Sequence, residues 1–102
     1  MIIEQIRYYF DESDKEATLL ARREESRVRA ELGLPPGHIL IADPIPTDGP
    51  GMVWQCIYED ESGMATATAR LIGNAEYETS RDRLRALTIR VELELYTADE
   101  DV

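Results

Sequence analysis

Asp11-Glu12-Ser13 and Asp60-Glu61-Ser62 are the same tripeptide, each standing after a run rich in β-branched and aromatic residues and before a run with helical spacing. The recurrence divides the 102-residue chain into two similar halves. Tyr9 and Tyr58 stand at the same offset before it, Arg7 falls on Cys56, and Gln5 on Trp54. Acidic residues and Ser suit any helix start, so the fold expectation rests on the repeated order of elements rather than on the letters.

Working outward, residues 2–10 alternate as a strand, with Ile6, Tyr8 and Phe10 on one face and Gln5, Arg7 and Tyr9 on the other. Ser13 and Glu16 have the spacing of a capping box. Ala17, Leu20, Ala21, Val28 and Leu32 then recur at helical spacing up to Gly33. Pro35-Pro36-Gly37 separates this helix from a short strand over 38–43, and the Pro- and Gly-rich segment 44–51 reads as a loop. Residues 52–58 form a third strand and 60–73 a helix. Asn74 caps a further helix over 75–87, whose Glu76 and Glu78 precede Arg81, Arg83 and Arg85 in the order the helix dipole favours. Strand 88–97 sends Ile89, Val91, Leu93 and Leu95 one way and Arg90, Glu92, Glu94 and Tyr96 the other.

Strand, helix, strand, repeated once, predicts a ferredoxin-like βαββαβ α+β fold. Right-handed crossovers place the helices on one face of a four-stranded antiparallel sheet. One domain over 1–98 and an acidic tail over 99–102 account for the chain. With 21 Asp and Glu against 11 Lys and Arg, the net charge of -10 predicts repulsion from nucleic acid and from anionic membranes. The start has neither a basic segment nor the apolar core of about 7–15 residues that a secretory signal needs. The single cysteine, Cys56, cannot form an internal disulfide, and a cytoplasmic location is expected.

The sheet face away from the helices is predicted to carry Gln5, Arg7, Tyr9, Trp54, Cys56, Tyr58, Arg90, Glu92, Glu94 and Tyr96. That is too much aromatic surface to leave wet on a monomer, so a homodimer closing two sheets into a barrel with a ligand cavity is expected. This phase turns Gln55 toward the helices, where a buried amide needs partners. A slip of the third strand by one residue is the alternative.

Arg7-Tyr8-Tyr9, the alternation Trp54, Cys56, Tyr58 followed by Glu59-Asp60, and Asn74-Ala75-Glu76-Tyr77 resemble NIPSNAP-like members of the dimeric α+β barrel superfamily. Ala75 stands where that pattern usually has Pro, Tyr77 where it has Trp, and Cys56 where an aromatic is common. The resemblance implies a homodimer with a cavity on each sheet. It implies little chemistry, since the superfamily mixes cofactor-free monooxygenases, cyclases, isomerases, haem-degrading enzymes and proteins of unknown task.

Candidate roles follow from residue chemistry. Arg7 with Glu92 or Glu94 suits the orienting of a carboxylate or enolate ligand, or only an internal salt bridge, and Gln5 and Arg90 are ligand-binding candidates on the same face. Trp54 would stack on a ligand beside Cys56. Tyr9 and Tyr58 suit donation to a developing oxyanion, or only packing across a dimer. His38, the only histidine, is a candidate catalytic base and stands either at the cavity mouth or on an exposed edge. No metal and no cofactor is expected: one histidine cannot build a usual transition-metal site, and Gly49-Pro50-Gly51 lacks the Lys and helix of a phosphate loop. The expected function is binding of a small aromatic or carbonyl-bearing metabolite, as a cofactor-free isomerase, cyclase or monooxygenase. The alternative is a non-catalytic accessory protein whose sheet face serves dimerisation.

Overall fold

A computed structural model describes residues 1–99; residues 100–102 of the expected acidic tail lie outside the described residues. The elements are β1 (Ile2–Tyr9), a single 3₁₀ turn at Glu12–Asp14, α1 (Lys15–Glu31), β2 (His38–Ile41), β3 (Met52–Tyr58), α2 (Glu61–Leu71), α3 (Ala75–Ala86) and β4 (Arg90–Thr97). All strand pairs are antiparallel and their spatial order is β2-β3-β1-β4, the ferredoxin-like order. The helices form one layer on one face of the sheet. The other face is bare, in keeping with a shortest dimension of 17 Å. Among the described residues no helix is long and apolar enough to cross a membrane.

The two DES tripeptides start their helices differently. Asp60 caps α2, its carboxylate accepting from Gly63 N at 2.8 Å. Neither Asp11 nor Asp14 makes a side-chain cap, so the expected Ser13–Glu16 box does not form and the 3₁₀ turn intervenes. That extra turn sets the phase of α1. Thr18, Ala21, Arg22, Glu25, Val28 and Arg29 point inward, whereas Ala17 and Leu20, expected in the buried stripe, face solvent, Leu20 at 62 % exposure. Two hydrogen bonds close α1 as a Schellman motif, from Leu34 N to Arg29 O at 2.9 Å and from Gly33 N to Ala30 O at 3.0 Å, with Gly33 at a φ of 75°. At the other helix start the expectation holds: Asn74 accepts from Tyr77 N at 2.8 Å.

The facing of β3 is a correction. Register pairs Ile6 with Trp54, Tyr8 with Met52 and Ile2 with Tyr58, and paired residues share a face. Trp54, Cys56 and Tyr58 therefore lie under the helices and are buried, while Val53, Gln55 and Ile57 join Gln5, Arg7 and Tyr9 on the bare face. The sequence offset that matches Tyr9 to Tyr58 does not carry over, because five residues join β1 to α1 and only two join β3 to α2. This phase also buries the larger apolar set and frees Gln55 from a buried position. Gly37, at a φ of 76°, permits the packing: a Cβ there would stand 2.3 Å from Trp54 Nε1, which donates to Pro36 O at 2.8 Å.

Trp54→Ala is expected to lower unfolding free energy by about 3–5 kcal/mol, and Leu20→Ala by no more than about 0.5 kcal/mol. Equilibrium urea denaturation checks both, and a large loss at Leu20 would contradict the phase of α1.

Candidate functional site

The residues singled out in the sequence fall into two sets on opposite faces. On the bare face Arg7 Nη2 donates to Glu94 at 2.9 Å and Arg7 Nε lies 3.5 Å from Glu92. Tyr9 Oη donates to Glu92 at 2.5 Å, and the Arg90 guanidinium sits 4.1 Å from the Tyr9 ring centroid. The Tyr9 bond, helped by Arg90 and Arg7, holds the Glu92 carboxyl below its ordinary range. Gln5 shares this face in a row with Gln55, Glu94 and His38. His38 itself is exposed on β2, about 10 Å from Gln5 across an intervening strand. The charged groups pair as a salt-bridged surface, in which Arg7 Nε is buried without a hydrogen-bond partner.

Trp54 and Tyr58 line instead a cavity of about 290 Å³ between the helices and the sheet, and Cys56 is buried on the same side of the sheet without reaching its lining. The charged groups of the cavity were not anticipated. Arg22, Glu25 and Arg29 project from α1 into the layer that ordinarily holds only apolar side chains, with Arg22 1 % and Arg29 3 % exposed. Their guanidinium carbons lie 4.3 and 4.8 Å from the Trp54 ring centroid. Arg22 Nη1 donates to Tyr8 Oη at 3.0 Å and contacts Glu25 Oε1 at 3.3 Å. Arg22 Nε and Glu25 Oε2 are buried without a hydrogen-bond partner. The signal was present in the sequence: three charges at i, i+3 and i+7 fall on the same side of the helix as Ala21 and Val28.

Arg29 has different company. Its Nε donates to Pro35 O at 2.8 Å, and its Nη2 to Tyr58 Oη at 2.9 Å and to Cys56 Sγ at 3.6 Å. All three acceptors are neutral. No carboxylate pairs with Arg29 among the described residues, and its Nη1 makes no hydrogen bond to protein there. Arginine keeps its charge in proteins, and an unpaired buried cation is expensive. The third member, Tyr58, donates to Glu4 Oε1 at 3.1 Å.

Burial pushes the Tyr58 and Tyr77 phenols above the ordinary tyrosine range. Burial likewise pushes Tyr8 up to about 12, against the opposing pull of Arg22. Each is therefore a neutral donor and acceptor across the physiological range. Between α3 and β4 lies a groove of about 570 Å³ that shares Glu4, Ile6, Glu25, Tyr77 and Arg81 with the cavity and so gives it an entrance. A cleft of about 590 Å³ beside Tyr9 and the loop Ile45–Gly49 is larger, but its lining lacks buried charge. No group of three or more His, Cys, Asp or Glu side chains suited to a metal ion occurs among the described residues.

The fold is shared with solved structures across nearly the whole chain. A NIPSNAP domain protein from Burkholderia xenovorans superposes with a TM-score of 0.76 at 14% identity, covering 100% of this chain and 98% of that one. A NIPSNAP family protein from Agrobacterium tumefaciens gives 0.73 at 18%, covering 99% and 88%. A putative antibiotic biosynthesis monooxygenase from Nitrosomonas europaea gives 0.67 at 19%, covering 96% and 98%. The chain thus has the ferredoxin-like α+β fold that NIPSNAP proteins and antibiotic biosynthesis monooxygenases share. The sequence matches no family model, and no curated protein matches it either.

Unfolded tyrosine ionises near 10, whereas folded Tyr8 holds its proton to about 12. Between those values the unfolded state binds fewer protons, so stability is complete below pH 10 and falls as pH rises toward 12. Tyr8 alone accounts for about 2–3 kcal/mol of that fall, which urea titrations across this range will show as a shallower decline in Tyr8→Phe.

Proposed function

We propose that the chain is a small-molecule-binding α+β barrel protein that takes a small carbonyl- or phenol-bearing anion into the cavity between its helices and sheet, and that it works as a homodimer. The observation that carries the reading is Arg29, a buried guanidinium with neutral acceptors only and an Nη1 that makes no hydrogen bond to protein among the described residues. A ligand carboxylate or enolate supplies the missing counter-charge and two-point geometry. Trp54 and Ile6 offer apolar wall, Tyr58 and Glu4 a polar end. The volume of about 290 Å³ suits a metabolite of small size. Similarity to a putative antibiotic biosynthesis monooxygenase supports reading such a cavity as a place for chemistry on a small molecule. A reducing compartment such as the cytoplasm suits Cys56, a buried free thiol.

The bare sheet face supports the homodimer. With a net charge of -10, two copies repel one another over most of their surface. On the bare face Arg7 and Arg90 balance Glu92 and Glu94, and Leu40, Ile57 and Tyr96 stand exposed beside them. A neutral, partly apolar and self-complementary patch is what a two-fold interface needs.

Trp54 is the only tryptophan, so its fluorescence reports on the cavity. Titration with acetoacetate, phenylpyruvate and 4-hydroxybenzoate is expected to quench it saturably for at least one. Arg29→Met should weaken that binding by about 30-fold or more while unfolding stays cooperative, and Arg27→Met, at an exposed cluster with Glu24, Glu31 and Glu76, should leave it unchanged. Wild-type affinity in Arg29→Met would overturn the reading. Sedimentation equilibrium should give twice the chain mass for wild type and the single mass for Ile57→Glu.

A further inference from the structure

Three carboxylates line the interior cavity, and their surroundings differ. Glu25 is held by Arg22 at 3.3 Å, and Glu78 accepts from Gly73 N at 3.2 Å. Glu4 contacts no arginine directly. Its Oε1 accepts the Tyr58 hydroxyl at 3.1 Å, and its Oε2 makes no hydrogen bond to protein among the described residues. The same hydroxyl accepts from Arg29 Nη2 at 2.9 Å. One oxygen thus joins the unpaired cation to the unpaired carboxylate and limits their separation to about 6 Å, the sum of two hydrogen bonds. Glu4 is anchored in the middle of β1 and paired on both sides, and Arg29 sits in the last turn of α1, so the spacing is set by regular elements rather than by a loop.

A carboxylate and a guanidinium so spaced can reach both ends of one functional group, a carbonyl and the C–H beside it. Resting on the anion-binding reading of this cavity, we infer that the site is a proton-transfer centre for a small enolisable oxo acid. Glu4 is the general base, Arg29 binds the oxygen that becomes negative, and Tyr58 is the positioning residue between them. In the step itself a Glu4 oxygen takes the proton from the carbon next to the carbonyl. The C–H bond breaks, an O–H bond forms on Glu4, the C–H electron pair becomes the carbon–carbon double bond, and the carbonyl π pair moves to its oxygen, facing Arg29. Return of the proton from Glu4 to the same or a conjugated carbon closes the cycle, with no oxidant or reductant consumed.

Exchange in D2O tests this separately from binding. Acetoacetate, phenylpyruvate and 2-oxobutanoate are incubated with the protein, and loss of the C–H signal beside the carbonyl is followed by proton NMR, with affinities from Trp54 fluorescence. Wild type is expected to exceed the buffer rate by about 100-fold or more for at least one probe. Glu4→Gln should lose about 100-fold in rate while its Kd stays within about threefold. Tyr58→Phe should lower kcat by about tenfold with KM little changed, a split that mere loosening of the fold does not produce. Binding without accelerated exchange, or wild-type exchange by Glu4→Gln, overturns the inference and leaves the anion site standing. Failure of these three probes and of 4-hydroxybenzoate to quench Trp54 overturns the cavity reading and this inference with it.

Discussion

The pairing of Ile6 with Trp54 across β1 and β3 is the constraint on which the rest of the molecule depends. A shift of one residue would turn every β3 side chain over, exposing an indole, a thiol and a phenol and burying an amide. With the observed pairing Trp54 becomes the floor beneath two arginines, and Tyr58 lands within reach of Arg29 and Glu4. Packing and site chemistry are therefore one choice, made by backbone register.

Burying charges above that floor has a cost that an apolar core would avoid. Replacing buried ion pairs by hydrophobic residues is often neutral or stabilising, and Arg22 Nε with Glu25 Oε2 remains unsatisfied besides. In a chain of this size the core is modest to begin with. The bare face shows the contrasting pattern. Its charges pair with one another across β1 and β4, and Arg7 Nε is the one buried atom among them without a hydrogen-bond partner.

Much of the architecture was legible in the sequence. Strand order, the alternation of β1 and β4, and the Asn74 cap all follow from local patterns, because one face of each element differs chemically from the other. The segment Met52–Tyr58 lacks that contrast: Met, Trp, Cys and Tyr on one side oppose Val, Gln and Ile on the other, so either phase buries apolar groups. Only the long-range pairing with β1 decides it. The interior site was hidden for a related reason. Charges on a helix ordinarily mark its wet side, and here Arg22, Glu25 and Arg29 ride the dry side while Leu20 faces water. Arg7, Tyr9, Arg90 and Glu92 share the face that their alternation predicts, whereas Trp54, Cys56 and Tyr58 lie on the opposite one.

Gly37 gives the cavity an unusual kind of control. The indole of Trp54 lies where a side chain at position 37 would otherwise be, so the depth of the cavity floor is fixed by the lack of a single carbon on the far side of the ring. A methyl group there would stand 2.3 Å from the indole nitrogen and 2.7 Å from the Gln55 carbonyl oxygen, on a backbone turn that strains any side chain. The seat of the wall is thus set from behind it, at a position that an inspection of the lining alone would pass over.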